Sequence, residues 1–348
     1  MIRYAVDHGV NYIDTAYPYH GGNSEILVGK ALRDGYREKV RIATKMPIGR
    51  VNSPEDLDRI FNEQLRKLRT DHIDFYLLHG LNRERWIKSL DLNVLDWAEK
   101  LMDEGKIRYF GFSFHDEFEV FKEIIGGYDK WTFYQIQYNY LDTESSKRTP
   151  GTRGLKYAAS KGLAVVVMEP IAGGMLAVPP PPEVQAIWDE AEIKRTLAEW
   201  ALLWVWNHPE VSVALSGMSN MQQVIENLAT ADRSGPNILT ESDLRIISRV
   251  REKYLQYGFI GCTGCQYCMP CRQGVSIPEV LALYNEYLRR RGDEAKQREV
   301  INEYNEIISR EKGDENCIKC RECEKKCPQH LLISELLTKV ARIFGRSG

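Results

Sequence analysis

The segment HIDFYLLH, residues 72–79, is an almost unbroken run of large apolar and aromatic residues that ends in a histidine. A run of this length and composition predicts a β-strand that is buried on both faces. Six further runs of the same kind lie between residues 11 and 217: NYIDTA (11–16), VRIATK (40–45), IRYFGFSF (107–114), FYQIQYNY (133–140), LAVVVMEP (163–170) and VSVALSG (211–217).

Helical patterns separate these runs. The segment SPEDLDRIFNEQLRKL (53–68) has Ser53 at an N-cap position and two acidic residues in its first turn, and a later helix is predicted from Thr240 to about residue 256. Repeated strand–helix units predict a parallel α/β fold, and seven strands favour a (β/α)8 TIM barrel. A doubly wound sheet is the alternative, although no G-x-G-x-x-G motif follows any of the runs.

All eight cysteines fall in two runs near the C-terminus. The first is C-x2-C-x2-C-x2-C, and the second is C-x2-C-x2-C-x3-C followed by Pro328, which matches the bacterial ferredoxin pattern. In two-cluster ferredoxins the fourth cysteine of each run ligates the other cluster. We therefore predict one [4Fe–4S] cluster on Cys262, Cys265, Cys268 and Cys327, and a second on Cys317, Cys320, Cys323 and Cys271.

Other uses of these cysteines fit the pattern less well. Disulfides are disfavoured because no signal peptide is recognisable and closely spaced C-x2-C pairs suit metal chelation in a reducing compartment. Two four-cysteine zinc sites remain an alternative, but zinc sites usually draw on two separated pairs of ligands. The pattern favours iron–sulfur clusters.

The 348 residues carry a formal net charge of -2, and 43% of them are hydrophobic. This length accommodates one large domain and one small domain. We predict a barrel over residues 1–235, a closing helix and linker over 236–256, and a two-cluster ferredoxin-like domain over 257–348. The near-neutral charge gives no field for nucleic acid or an anionic membrane, and no apolar run has the length of a membrane span. We expect a cytoplasmic protein.

Polar side chains mark the ends of the first three apolar runs. Asp14 and Lys45 lie near the ends of NYIDTA and VRIATK, His79 closes HIDFYLLH, and Tyr19 follows Asp14 by five residues. In a TIM barrel these strand ends face the active-site mouth. A buried lysine needs a partner, which Asp14 supplies, and such a pair beside Tyr19 would lower the pKa of its phenol. Each residue alone is explained by an ordinary strand-end polar group, but the four together predict a catalytic site.

Several segments together resemble the aldo-keto reductase family. They lie between residues 11 and 231 and read IDTAYPYHGGNSE with VGKAL, then ATK, DFYLLH, GKIRYFGFS, QIQYN and SGMSNMQQVIENL. The resemblance implies hydride transfer between a nicotinamide cofactor, NAD(P)H, and a small carbonyl or alcohol substrate. It also implies that Asp14, Tyr19, Lys45 and His79 are the catalytic tetrad, with Tyr19 as the proton donor.

The same resemblance implies a cofactor site. Ser113 and Gln135 correspond to the residues that hold the nicotinamide carboxamide. Five residues correspond to the site for the adenosine end: Gly217, Ser219, Gln223, Glu226 and Asn227.

The cysteine segment resembles the ferredoxin-type extension of one bacterial and archaeal branch of the family, in which two runs surround a helical insert.

The chain departs from the family pattern in its barrel. Met1 stands within the first helix, so the family's opening hairpin and first barrel strand are absent, and we expect a truncated gene model. Phe114 follows Ser113 where the family usually has Asn, and His115 either supplies the replacement hydrogen bond or is an ordinary strand-end histidine. Met168 takes the place of a tyrosine that often stacks on the nicotinamide.

The cofactor preference is predicted from the adenosine segment. Met218 and Gln223 stand where the family has cations for the 2′-phosphate of NADP. Because a phosphate dianion is best bound by Arg or Lys, we expect NAD to be preferred or the two cofactors to differ little.

Two functions from different classes remain. The leading one is an oxidoreductase in which two clusters form an electron path or a structural element. A hydride carries two electrons whereas each cluster accepts one, and a flavin could mediate between them, but no flavin motif is visible. The alternative is an electron-transfer or redox-sensing iron–sulfur protein, with an electron-transfer partner, whose barrel no longer reduces carbonyls. The substrate stays unidentified, since the specificity loops show only aromatics such as Trp86 and Trp131.

Overall fold

The structure is a computed structural model that describes residues 1–310 and 312–344. The chain divides into two compact units. The first unit comprises Met1–Tyr138, Asp142–Pro170 and Leu202–Ile238. The second comprises Asn139–Leu141, Ile171–Ala201 and the chain from Leu239 onward.

Seven parallel strands form one sheet in the first unit, in the order of the chain. Every strand predicted from the sequence is confirmed, and the parallel order confirms the α/β class. The strands are β1 (Tyr12–Asp14), β2 (Arg41–Met46), β3 (Ile73–Leu81), β4 (Ile107–Phe114), β5 (Phe133–Gln137), β6 (Ala164–Met168) and β7 (Val211–Ala214).

Helices alternate with the strands and then continue alone. The α-helices are α1 (Ile2–Asp7), α2 (Ser24–Ala31), α3 (Pro54–Leu68), α4 (Arg83–Asp91), α5 (Val94–Asp103), α6 (Phe118–Gly126), α7 (Gly151–Ser160), α8 (Pro182–Asp189), α9 (Leu197–Trp206), α10 (Met221–Ala231), α11 (Glu241–Tyr257), α12 (Ile277–Arg289), α13 (Glu294–Ser309), α14 (Glu322–Lys325) and α15 (Ile333–Ile343). Short 3-10 segments cover Tyr19–Gly22, Arg37–Lys39, Ile48–Arg50, Ala172–Ala177 and Asp314–Asn316.

The sheet is curled around an apolar centre. A buried cluster is formed by one residue each of β2, β3, β5 and β6, and Tyr12 of β1 and Val213 of β7 both pack against it. Residues of the first and the last strand thus pack against the same apolar cluster, as they do in a β-barrel. β1 and β7 are the two edges of this sheet, which has one strand fewer than an eight-stranded barrel. The cluster residues are Ala43, Leu77, Phe133 and Val166.

Strand alternation places the predicted polar residues on the inner face. Side chains two residues apart point to the same side of a strand. Lys45 follows Ala43 by two residues, His79 follows Leu77, and Gln135 follows Phe133, so each is carried from the apolar centre toward the carboxyl ends of the strands. The register that pairs Ser113 with Gln135 brings these two residues side by side.

Helices α3 and α11 match the predicted segments. Ser53 is the N-cap of α3, although its side chain makes no capping hydrogen bond. In α11 the N-cap is Thr240, whose hydroxyl accepts from the Asp243 backbone N–H at 3.1 Å, and the Asp243 carboxylate accepts from the Thr240 N–H at 3.1 Å. This reciprocal pair is a capping box.

The cysteine-bearing part of the second unit is built on helices α12, α13 and α15, which share one apolar core. Val280, Tyr304 and Val340 supply a fully buried residue from each helix. The side chain of Asn285 fastens the approach to the first cysteine run, since it accepts from the Ile260 N–H and donates to the Ile260 carbonyl, both at 2.8 Å. The predicted helical insert between the two cysteine runs is confirmed.

Gly111 in β4 allows strands β4 and β5 to lie close together. A Cβ at this position would lie 2.3 Å from the Phe133 carbonyl oxygen and 2.7 Å from its ring. We expect Gly111→Ala to lower the free energy of unfolding by about 1–3 kcal/mol, since overpacking forces backbone shifts. Gly126→Ala is the matched control, because nothing lies within 4 Å of a Cβ there. Equal denaturation midpoints for the two variants would contradict this account.

Candidate functional site

Lys45 and Asp14 form an ion pair at the carboxyl ends of β2 and β1. The Lys45 ammonium donates to the two Asp14 carboxylate oxygens at 2.7 and 2.8 Å and to the Thr15 carbonyl at 2.8 Å. Lys45 is fully buried, so these acceptors compensate for the loss of water around its charge. Burial raises the pKa of Asp14, and Lys45 opposes that rise.

A buried polar network holds β2 from the side of the helices. The Glu25 carboxylate oxygen Oε1 accepts from the Thr44 hydroxyl at 2.7 Å and from the Gln64 amide at 2.8 Å. The same Gln64 amide donates to the Lys45 carbonyl at 3.0 Å. Tyr76 completes the network by donating to Gln64 Oε1 at 2.7 Å. The strand that carries Lys45 is therefore fixed by hydrogen bonds on its outer face.

Tyr19 lies over this ion pair. It begins a 3-10 turn in which His20 has a φ of 50° and Gly21 a φ of 63°, and this left-handed backbone turns the chain after β1. The Lys45 ammonium lies 5.0 Å from the centre of the Tyr19 ring. The His79 ring meets the Tyr19 ring edge-on, with centres 5.8 Å apart. The structure thus brings the four predicted catalytic residues into one small cluster.

His79 is held as a neutral imidazole. Burial lowers the pKa of His79 well below its ordinary value, and the nearby charges of Lys45 and Arg85 lower it further. A neutral imidazole has one N–H donor and one acceptor nitrogen. At neutral pH His79 can donate a hydrogen bond to a substrate oxygen without adding a second positive charge beside Lys45.

Ser113 and Gln135 are adjacent and nearly inaccessible. The Ser113 hydroxyl accepts from the Gly80 N–H at 2.7 Å. Gln135 directs its amide nitrogen to the Met168 sulfur at 3.5 Å, while its buried carbonyl oxygen Oε1 has no hydrogen-bond partner in the described part of the chain. A buried acceptor of this kind calls for a donor from a bound molecule.

The predicted adenosine-binding residues lie on the loop after β7 and the first turns of α10. The Gln223 side-chain carbonyl accepts from the Ser219 N–H at 2.7 Å and from its hydroxyl at 3.1 Å. Asn227 donates to the Ser216 hydroxyl at 2.8 Å, and Glu226 accepts from Gln222 at 2.8 Å. Gly217 is exposed on the same loop. The N-terminus of α10 thus stands at the end of β7, where helix dipoles favour anions.

Three cysteines of the first run and one cysteine of the second run line a single small cavity. Cys262, Cys265, Cys268 and Cys327 all contribute to its wall. Burial, followed by the charges of the Cys262 and Cys265 thiolates, raises the pKa of Cys268 to about 12, and Cys327 acts in the same direction. Crowded thiolates that repel one another are what a bound metal cation compensates.

The remaining cysteines lie near the apolar core formed by helices α12, α13 and α15. Cys271, Cys317 and Cys323 pack against that core, and Cys320 is exposed. Burial raises the pKa of Cys323 to about 11, with contributions from Glu324 and Cys317. Among the described residues, no three His, Cys, Asp or Glu side chains stand as the ligands of one metal ion would.

Left-handed backbone positions shape the two cysteine loops. Gln266 has a φ of 66°, and Lys319 and Arg321, which flank Cys320, have φ values of 54° and 61°. Such residues reverse the chain between successive cysteines, so that thiols spaced three apart are able to face one centre.

Two groups near the site were missed or misplaced by sequence reasoning. Arg50 and Arg85 both act on His79, but Arg50 ends a short 3-10 segment and Arg85 lies in the first turn of α4, and neither belongs to a recognisable motif. Trp86 and Trp131, expected in specificity loops, are buried, and Trp131 stacks on Phe110 with ring centres 5.1 Å apart. Their placement was wrong because an isolated tryptophan gives no indication of burial.

No helix within residues 1–310 or 312–344 has both the length and the apolar character needed to span a bilayer.

Comparisons with known proteins agree with both parts of the chain. A model described as "Aldo/keto reductase family" matches residues 1–236, and one described as "4Fe-4S dicluster domain" matches residues 261–332. The NADH-specific methylglyoxal reductase of Escherichia coli is 27% identical over 286 residues, which cover 70% of this chain and 84% of that protein.

Solved structures show the same likeness. The holo form of an aldo-keto reductase from Bacillus halodurans is 29% identical with a TM-score of 0.59, and the match covers 72% of this chain and 84% of that one. An aldo-keto reductase from Klebsiella pneumoniae in complex with NADPH is 26% identical with a TM-score of 0.58, and covers 72% and 83%. The chain therefore belongs to the aldo/keto reductase family of NAD(P)-dependent oxidoreductases, and it carries a 4Fe-4S dicluster domain at residues 261–332.

Proposed function

We propose that this oxidoreductase transfers a hydride between a nicotinamide cofactor and a carbonyl or alcohol substrate, with Tyr19 as the proton donor. The observation that carries the proposal is the placement of Tyr19 between the buried Lys45–Asp14 pair and the His79 ring. A structural ion pair alone does not account for a phenol and an imidazole meeting above it at the carboxyl ends of the strands.

A nicotinamide ring fits the residues beside this cluster. The unpartnered Gln135 carbonyl oxygen would accept from the carboxamide NH2 group, and the Ser113 hydroxyl would donate to the carboxamide oxygen. The loop of Gly217 and Ser219 with the N-terminus of α10 would hold the adenosine end. When bound, the nicotinamide supplies or accepts the hydride.

The protein side of the reaction is a proton transfer. The Tyr19 hydroxyl gives its proton to the carbonyl oxygen as that oxygen gains charge. Lys45, 5.0 Å from the ring centre, stabilises the phenolate left behind, and Asp14 keeps Lys45 in position. Neutral His79 donates its N–H toward the same oxygen and orients the substrate.

We propose that the barrel (1–235) is followed by a closing helix and by a cluster domain (257–348). Cys262, Cys265, Cys268 and Cys327 would hold one [4Fe–4S] cluster, while Cys317, Cys320, Cys323 and Cys271 would hold the other. When bound, such clusters supply one-electron redox chemistry.

A second candidate function is one-electron transfer to a partner protein. It is favoured by the exposure of Cys265 and Cys320, one in each trio, because exposed ligands leave a cluster close to the surface. In that case the barrel need not reduce carbonyls.

An anaerobic experiment separates the two functions. The full chain, reconstituted with iron and sulfide, is mixed with NADH in the presence or absence of a panel of aldehydes, and the NADH and cluster absorbances are followed together. Oxidation of NADH that requires an aldehyde supports carbonyl reduction. Bleaching of the clusters by NADH alone, without turnover of any aldehyde, supports the electron-transfer function.

The cofactor preference gives a further prediction. Met218 and Gln223 offer no cation for a 2′-phosphate, so the dissociation constants of NADH and NADPH should be similar or favour NADH. Gln223→Arg should tighten NADPH binding by roughly tenfold or more and leave NADH nearly unchanged. Gln185→Arg, at an exposed position in α8, is the control for added charge. A strong wild-type preference for NADPH in calorimetric titrations would contradict the prediction.

A further inference from the structure

Three basic side chains follow the carboxyl ends of three consecutive strands. Arg50 ends the short 3-10 segment after β2, Arg85 lies in the first turn of α4 after β3, and His115 directly follows β4. None of them belongs to the four-residue cluster around Lys45. Because neighbouring parallel strands end on the same side of a barrel, these residues share the mouth above His79.

Arg85 joins these loops. Its Nη1 donates to the Gly80 carbonyl at 2.7 Å, which places the guanidinium beside the residue that follows His79. The Cβ position at Gly80 lies 2.7 Å from Arg85 Nη1 and 3.8 Å from the His115 ring, and the Cβ position at Gly49 lies 3.9 Å from Arg85 Nε. The two glycines thus leave room for the guanidinium between the loops.

Four basic residues act on His79 at this mouth. Lys45, Arg85, His115 and Arg50 each lower the pKa of His79, which places their charge within reach of the reaction centre. Lys45 is neutralised by Asp14. Arg50 is exposed and forms no ion pair among the described residues, and its guanidinium lies 5.8 Å from the centre of the Tyr17 ring. Positive charge thus remains beside the place where the carbonyl must lie.

We infer that the substrate carries an anionic group, a carboxylate or a phosphate, which Arg50 and Arg85 hold while Tyr19 and His79 contact its carbonyl. A planar guanidinium matches the paired oxygens of either group. The inference rests on the proposed carbonyl chemistry and adds the substrate class to it. Arg85 also stabilises the loop through its hydrogen bond to the Gly80 carbonyl, so its replacement would disturb the structure. Arg50 is therefore the residue to test.

The test compares aldehydes that differ in charge. One pair is 4-formylbenzoate and its methyl ester, and the other is 4-formylphenyl phosphate and 4-methoxybenzaldehyde. Dissociation constants are measured by calorimetry on the anaerobically reconstituted full chain with saturating NAD+, which permits no reduction. The values of kcat/KM are then measured with NADH. The variants are Arg50→Gln and, as the matched control, Arg83→Gln, which replaces an exposed arginine in the first turn of α4 that pairs with Glu123.

The wild type should bind at least one anionic aldehyde about tenfold more tightly than its neutral counterpart, and the advantage should fall with added salt. Arg50→Gln should remove most of that advantage through the dissociation constant and KM, with kcat for the neutral aldehyde kept, whereas Arg83→Gln should keep the advantage. The pair of aldehydes that shows this charge-dependent binding identifies whether the anionic group is a carboxylate or a phosphate. Lack of any charge-dependent binding, or its survival in Arg50→Gln, overturns the inference even if neutral aldehydes are reduced. Charge-dependent binding without reduction of any aldehyde instead counts against the proposed carbonyl chemistry.

Discussion

Tyr19→Phe is expected to reduce the turnover of carbonyl substrates by several orders of magnitude. The substitution removes only the hydroxyl that would give its proton to the carbonyl oxygen, and general acid catalysis contributes roughly 10²–10⁴-fold. The phenyl ring should keep its place above Lys45 and beside His79, so the contacts proposed for the nicotinamide at Ser113 and Gln135 should be unaffected. Single-turnover rates of NADH oxidation, measured anaerobically with a reactive aldehyde, give the size of the loss.

The control for this variant is cofactor binding. The dissociation constant of NADH should change by less than about twofold, because the loss belongs to the transition state and not to the ground state. Tyr17→Phe is the matched substitution two residues away, where the hydroxyl donates to Glu63 at 2.9 Å, and it should keep nearly full turnover. Near-normal turnover in Tyr19→Phe would refute its role as proton donor.

Cys327→Ala is expected to remove the cluster proposed for three cysteines of the first run. The cluster proposed for the other three cysteines of the second run, which lie close to Cys327 in the sequence, should remain. Cys327 shares a cavity wall with Cys262, Cys265 and Cys268, although it lies 56 positions after Cys271, the last cysteine of the first run. A [4Fe–4S] cluster needs four thiolates, so iron should fall from about eight to about four per chain. Iron and sulfide analysis of anaerobic preparations measures the loss.

The crossed arrangement is distinguished from a sequential one by a second pair of variants. Cys265→Ala should produce the same electron paramagnetic resonance spectrum as Cys327→Ala, because both remove a ligand of one cluster. Cys271→Ala should match Cys320→Ala. If instead Cys327→Ala matches Cys320→Ala, each run holds its own cluster, and zinc in place of iron would refute the iron–sulfur assignment altogether.

Local patterns were sufficient to predict the strands and the four polar residues of the site. A buried parallel strand is a continuous apolar run, and in a barrel the carboxyl ends of the strands face the active-site mouth, so Lys45 and His79 were placed at the site because they end their runs. The thiol spacing predicted the cysteine loops because metal chelation restricts that spacing.

What could not be predicted depends on residues far apart in the chain. Gln64 reads as one more polar residue of an amphipathic helix, yet it is fully buried and bonded to Glu25. Arg85 reads as a helix surface residue, yet it reaches back to the Gly80 carbonyl. Burial of a polar group becomes favourable only when its partners are in place, and a single segment does not contain them.

The shared acceptor at Glu25 also has a consequence for how this protein changes over generations. One carboxylate satisfies both Thr44 and Gln64, which lies 39 positions from it. Replacing any one of the three leaves buried donors or acceptors unmatched, whereas replacing all three by apolar residues of similar volume costs far less once Tyr76, which donates to Gln64, also loses its hydroxyl. Their mutational effects should therefore be strongly non-additive. We expect the three positions to be substituted together during evolution. Viable descendants of this sequence that carry a substitution at only one of the three positions should be rare.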